Sequence, residues 1–205
     1  MVGRTLIVAT TNPGKLREVA GFLQDLPGLT ILSLRDLPPV PEVHEDGATF
    51  RDNAIKKAVE YSRVLSGLVL ADDSGLCVDA LNGEPGVESA RYGGPGFDDP
   101  GRCRLVLERL EGVGDDRRGA RFDCVLALAE SGRLIEVFAD TVEGRINHAP
   151  VGENGFGYDP IFFYPPWGCT FAQVARDRKS TVSHRGRALA ALREYLLGHP
   201  DLFGS

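Results

Sequence analysis

The stretch Arg4 to Thr10, RTLIVAT, constrains the fold more than any other part of the chain. It is a short, β-branched and nearly continuous apolar run, which suits a strand buried on both faces rather than one with a wet side. Such a strand needs cover above and below, and the next segments of the chain can supply it. Pro13-Gly14 breaks the run, and Leu16 to Leu26 reads as a helix with Leu16, Val19, Ala20 and Leu23 on one side. Leu29 to Leu34 returns to strand, and Pro38, Pro39 and Pro41 stiffen a loop that delivers Glu42 to Gly47. Thr49 and Asp52 form a capping pair ahead of a second helical period through Ala54, Ile55, Ala58, Tyr61 and Leu65.

Leu68 to Ala71 predicts a further strand that ends at Asp72-Asp73-Ser74-Gly75, with Leu76, Val78 and Ala80 alternating beyond it. Asp99-Pro100 opens a helix that buries Leu105, Val106 and Leu110. Arg121 to Ala129 and Leu134 to Val142, joined across Ser131-Gly132, predict an antiparallel hairpin. Gly152 to Pro160 is a glycine-dense loop, and Ser183 caps a last helix through Ala188, Leu189, Leu192 and Leu196. Strand–helix alternation followed by a hairpin predicts an α/β fold with a mixed central sheet flanked by helices. No linker or repeat divides residues 1–205, which read as a single domain.

At 42% hydrophobic residues the chain can bury a core without disulfides or structural metal. Its 23 Lys+Arg against 29 Asp+Glu leave a net charge of -6, which argues against a grip on a nucleic-acid polymer. Cys77, Cys103, Cys124 and Cys169 lie far apart, without the close pairs that zinc ribbons and redox motifs need. They read as reduced, mostly buried thiols. MVGRTLIVATTNPGK has too short an apolar run for a signal peptide, and no stretch approaches the ~20 apolar residues of a membrane span. The expectation is a cytoplasmic protein. Lysine is scarce: Lys15, Lys56, Lys57 and Lys179 are the only four.

Four segments could carry chemistry. Thr10, Thr11, Asn12, Pro13, Gly14 and Lys15 stand between a strand and a helix, where main-chain N–H groups, hydroxyls and an ammonium could seat a phosphate. The P-loop spacing is absent, and a plain β-to-α turn is the alternative. Asp72 and Asp73 stand where an apolar strand ends, a common ligand position in α/β proteins. Successive strand side chains point to opposite faces, so one of the two would serve a metal with a partner from elsewhere, and Glu45 is a candidate. Carboxylate oxygens without nearby His or Cys suit Mg²⁺. The alternative is a local Asp-Ser-Gly turn. In the third segment, Asn154 to Pro160, two glycines flank Phe156 and could bring its ring to a flat ligand, or the aromatics could simply fill the core. The fourth holds Lys179, Ser183, His184, Arg185 and Arg187, whose cations at a helix N-terminus oppose the dipole unless bound anions offset them, or form a solvated basic turn.

Taken together, ATTNPGKLREV, EDGATFRDNAIKKA, LADDSGLCVDALNGEPGVESARY, GENGFGYDPIFF and KSTVSHRGRAL resemble the inosine/xanthosine triphosphate pyrophosphatase family, spread over residues 8 to 189 in the family's order. The resemblance implies a long mixed sheet with an active-site cleft, usually in a homodimer. It implies hydrolysis of ITP, dITP and XTP to the monophosphate and pyrophosphate with Mg²⁺. Thr10 to Lys15 would hold phosphates, Asp73 would be the catalytic base and a metal ligand, Glu45 the other ligand, and Ser74 a substrate contact. Phe156, Gly157, Tyr158, Asp159, Lys179, His184 and Arg185 would complete the nucleotide site. Lys15, Lys179 and Arg185 would neutralise triphosphate charge that the metal leaves over. The chain departs from the family pattern at Thr11, where glycine is common, and at Gln173, where an acidic residue is frequent.

Overall fold

The computed structural model describes residues 4–203. Seven strands form one mixed sheet in the order β2-β1-β3-β4-β5-β6-β7. The chain packs into two compact units, the first comprising residues up to Asp73, Cys124–Asp140 and those from Arg185 on, the second Ser74–Asp123 and Thr141–His184.

In the first unit, β1 (Arg4–Val8) pairs in parallel with β2 (Leu29–Ser33) and with the start of β3 (Leu68–Val78), Leu6 opposite Ile31 and Leu68. Alternation along the strands sorts the core into two layers. Leu6, Val8, Leu68 and Leu70, with Cys124, Leu126 and Leu128 of β4 (Gly119–Glu130), pack under α1 (Pro13–Leu23) and α5 (His184–Gly198). Ile7, Ala9, Val69 and Ala71, with Val125, Ala127 and Ala129, pack under α2 (Phe50–Val64) through Ala54, Ala58 and Tyr61. Burial on both faces is what the apolar run of β1 calls for.

The second unit gathers the rest of β3, the beginning of β4, and the end of β5 (Arg133–Ile146). Here β5 is followed in antiparallel order by β6 (Phe162–Tyr164) and β7 (Cys169–Thr170). Leu76, Val78, Phe122, Ile146, Phe162 and Phe171 form its core with Cys103, Val106 and Leu110 around α3 (Asp99–Arg109). The short α4 (Arg176–Ser180) carries Lys179.

Three local expectations shift. The strand run does end ahead of Pro13-Gly14, but these two residues already form the first turn of α1, which starts three residues before the expected Leu16 and ends at Leu23, because Asn12 caps it and proline is suited to the first helical position. The third strand does not stop at Ala71: β3 runs for 11 residues from Leu68 to Val78, so Asp72 and Asp73 lie inside a strand rather than in a turn. Their side chains find long-range partners in place of the local bonds a turn would have offered. The hairpin strands β4 and β5 are also longer than the apolar alternation suggested. Among the described residues no helix is long and apolar enough to cross a membrane.

Candidate active-site residues

Alternation places Asp72 on the α1/α5 side of β3, with Leu68 and Leu70, and Asp73 on the α2 side, with Val69 and Ala71. The two carboxylates therefore meet different company. Asp72 Oδ1 accepts the Lys15 ammonium at 2.5 Å, and its Oδ2 accepts Arg185 Nε at 2.6 Å. Arg185 Nη1 reaches Glu18 Oε2 at 2.7 Å. Lys15 and Glu18 are three apart on one face of α1. A chain Glu18–Arg185–Asp72–Lys15, buried except at its half-buried Lys15 end, thus alternates in sign and sums to zero. Burial alone would raise the Asp72 pKa, but Arg185 and then Lys15 outweigh it and hold this carboxyl well below the usual range. Arg185 is in turn raised well above its ordinary value, the burial cost being outweighed by Asp72 and Glu18.

On the other side of β3, burial pushes Asp73 up to about 6, against the lowering pull of Lys15 and Lys57, and with the nearby negative charge of Glu45 adding to the rise. Lys57 Nζ holds Glu45 Oε1 at 2.8 Å. Asn53, buried on α2, accepts the Gly47 N–H through Oδ1 at 2.7 Å, and a contact from its side chain lowers Asp73. The acidic loop is thereby tied to the helix that faces Asp73. Lys56 is engaged at the surface with Asp46 at 2.7 Å.

Glu45 and Asp73 form an oxygen-only pair close enough for one charge to perturb the other. Among the described residues no group of three or more His, Cys, Asp or Glu could cage an ion. Two carboxylates fit Mg²⁺, which commonly takes one or two of them and completes its shell with water and substrate phosphate.

The loop before α1 differs from the simple picture of a main-chain anion seat. Asn12 Oδ1 accepts the N–H groups of Gly14 at 2.8 Å and Lys15 at 3.1 Å, Thr10 Oγ1 accepts that of Asn12, and Pro13 has none. The helix start is capped by its own asparagine. The loop can still offer an anion the hydroxyls of Thr10 and Thr11, and the Lys15 ammonium if it is shared with Asp72. Arg35 braces it by donating to the Thr11 carbonyl at 2.8 Å.

In the second unit, Lys179 Nζ meets Asp159 Oδ2 at 2.6 Å with both side chains buried. The same oxygen accepts the Phe156 N–H at 3.0 Å. Lys179 lies 5.0 Å from the centre of the Phe156 ring and 5.7 Å from that of Phe171. His184 stacks on Phe122 at 4.8 Å. The Tyr158 hydroxyl is buried on the Ser89 carbonyl at 2.9 Å, and Gly157 donates its N–H to Asp99. Ser74 is half-buried in β3 directly after Asp73, and Gln173 closes a capping box with Thr170.

Two expectations change in kind. The anions that offset Arg185 at the start of α5 are the protein's own, Asp72 and Glu18, rather than a ligand. Lys15, Lys179 and Arg185 each stand beside a carboxylate, since a buried cation without one is too costly. Of the three side chains Lys15 keeps the most solvent access, 17% against 4% and 3%. The sequence gives Glu18 and Asn53 no role of their own within their motifs, and it marks Asp99 only as a helix start. Their neighbours in the chain carried the motif signals, and no local pattern marks a carboxylate whose partner is 167 residues away.

The model of the Ham1 family matches residues 6–195. The chain belongs to the Ham1 family. Similar family members include proteins named dITP/XTP pyrophosphatase from Shouchella clausii, 49% identical over 94% of this chain and 96% of the relative, and from Geobacter sulfurreducens, 49% identical over 93% and 96%. Among solved structures, a HAM1 protein from Coxiella burnetii is similar with a TM-score of 0.86 at 39% identity, covering 95% of this chain and 99% of that one. A nucleoside-triphosphatase / dITP/XTP pyrophosphatase from Mycobacterium abscessus reaches 0.74 at 45% identity, covering 92% and 98%. The family resemblance read from the five motifs is borne out, and so is the α/β fold with a mixed sheet.

Proposed function

We propose that this Ham1-family protein hydrolyses deaminated purine nucleoside triphosphates, ITP, dITP and XTP, to the monophosphate and pyrophosphate. The observation that carries the reading is the Asp73 carboxyl, raised to about 6 inside a strand and flanked by Glu45, Lys57 and Lys15. The names of relatives at about half identity over nine-tenths of the chain support the same chemistry.

With no ion bound, a carboxyl with a pKa near 6 is ionised at neutral pH yet basic enough to take a proton from a water. Asp73 would orient and deprotonate that water for in-line attack on the α-phosphorus, expelling pyrophosphate. Lys15, the most accessible of the three paired cations, would meet the phosphates. Lys57 would hold Glu45 in place. Glu45 and Asp73 would bind Mg²⁺, which when bound supplies charge neutralisation for the triphosphate and its leaving group. In the second unit Phe156 would stack on the purine, while Lys179 and Asp159 fix the ring from behind. Donors from His184 or the main chain would suit a 6-oxo group, whereas the 6-amino group of adenine would leave them unmatched. Three buried thiols and a half-buried fourth, all unbridged, accord with a reducing cytoplasm. A homodimer belongs to the same proposal and is tested by sedimentation.

Incubation with ITP and Mg²⁺ should yield IMP and pyrophosphate, with ATP and GTP turned over far more slowly. Orthophosphate as the first product would overturn the reading, and binding without any product would make the protein a nucleotide-sensing module. Independently of turnover, Mg²⁺ should raise the melting temperature of the wild type and not that of Asp73→Asn.

A further inference from the structure

The structure assigns to Asp99 and Cys103, one turn apart on α3, the role of positioning residues that hold the main chain of Gly157 and through it aim the Phe156 ring at the purine. This rests on the pyrophosphatase function proposed for the chain, since it needs a base for Phe156 to recognise.

Asp99 Oδ2 accepts the Gly157 N–H at 2.8 Å, and Cys103 Sγ donates to the Gly157 carbonyl at 3.4 Å. Residues four apart share a helix face, so one face of α3 grips both main-chain polar groups of a single glycine. The grip is itself braced. Arg102 holds the other Asp99 oxygen at 2.5 Å, and Asp98 caps the helix start by accepting the Gly101 N–H at 2.8 Å. Burial pushes the Cys103 thiol up to about 12, so it stays protonated and remains a donor.

The loop is closed from the other side as well. Asp159 accepts the Phe156 N–H at 3.0 Å, and a Cβ on Gly155 would fall 2.0 Å from Asp159 Oδ2, so only glycine lets that carboxylate approach. Gly157 adopts a φ of +61°, a left-handed conformation that favours glycine. Because its one N–H is engaged by Asp99, Gly157 has no main-chain donor to offer a nucleotide in this arrangement. Its contribution to binding is the angle it imposes on Phe156. A stacking ring serves selectivity only when that angle is held, and misplacements of ~1 Å can cost up to ~100-fold.

The test measures pyrophosphate release from ITP and GTP by the wild type, Asp99→Ala, Asp99→Asn, Cys103→Ala and the double alanine variant, alongside melting temperatures. For Asp99→Ala the expected result is a KM for ITP raised about tenfold, kcat changed less than about twofold, and a narrowed preference for ITP over GTP. Asp99→Asn should recover most of the loss, because its amide oxygen can accept the same N–H. Cys103→Ala should show the same trend more weakly, and the double variant should fall short of the sum of the two. A kcat lowered equally for both substrates with KM and preference intact would overturn the assignment and leave a purely structural role. So would an asparagine variant no better than alanine. A wild type that releases no pyrophosphate from ITP instead sinks the functional reading itself, and the assignment with it.

Discussion

The two sides of β3 treat a carboxylate in opposite ways. On the α1/α5 side, Asp72 sits in a balanced ionic chain that keeps it charged and holds it rigidly, with Lys15 and Arg185 at 2.5 and 2.6 Å. On the α2 side, its sequence neighbour Asp73 is also buried but reluctant to ionise, because burial outweighs the pull of two lysines and Glu45 crowds it. The difference teaches a division of labour. A carboxylate with close cations on both oxygens is too weak a base to take a proton, whereas one raised to about 6 is matched to proton transfer near neutral pH. Lys15 is common to both sides and links the rigid half to the reactive half.

The sharpest way to break this contrast is to neutralise the two acids in turn. Asp73→Asn should cut turnover by about 10²–10⁴-fold, the usual worth of a general base, with the fold preserved. If Asp72→Asn abolished pyrophosphate release while Asp73→Asn left it intact, the roles given to the two sides would be reversed. Next in size, Arg185→Leu strips the guanidinium from two buried carboxylates and should cost about 3–5 kcal/mol in urea denaturation. A loss near zero would mean that Asp72 and Glu18 are satisfied without it.

The smallest effect is the most diagnostic, because its sign is unusual. The folded-state pKa of Asp73 is raised from 3.8 to about 6, so its contribution to stability is fully present below about pH 4 and is lost as pH rises through about 6. In metal-free protein, Asp73→Asn should therefore match the wild type near pH 3.5 and exceed it by about 3 kcal/mol at pH 7.5, as read from denaturant midpoints. Asp72 works the other way, since its lowered pKa gives stability above the ordinary carboxylate range that is lost on acidification. A gain for Asp73→Asn that did not grow with pH would remove the proposed cost of keeping this acid ionised.

Part of the arrangement of the candidate site was legible in the chain, for reasons that can be named. Strand alternation required Asp72 and Asp73 to face apart, and the structure places them so. The proline-stiffened loop pointed to Glu45, and the glycines around Phe156 pointed to a ring brought to a flat ligand, whereas what Gly155 does in the structure is leave room for the Asp159 carboxylate. The length of β3 was not legible, because Asp-Asp-Ser-Gly carries the local signature of a turn and the partners that keep it extended come from distant segments. Lys57 could be seen but not assigned, since its partner Glu45 lies across a loop 12 residues earlier.

By itself the sequence determined the order of the longer elements, though not the short β6, β7 and α4, together with the two-sided burial of β1 and the motif set that places the chain among Ham1 proteins, because these depend on local periodicity and residue type. The tertiary structure alone decided which charges cancel. Glu18 with Arg185, Lys179 with Asp159 and Asp99 with the Gly157 N–H are long-range pairs. The raised pKa of Asp73 is a property of its burial and its neighbours rather than of the residue. Proton affinity at a buried site is set by solvation and by charges within a few ångströms, and folding brings those together from segments that the chain keeps far apart.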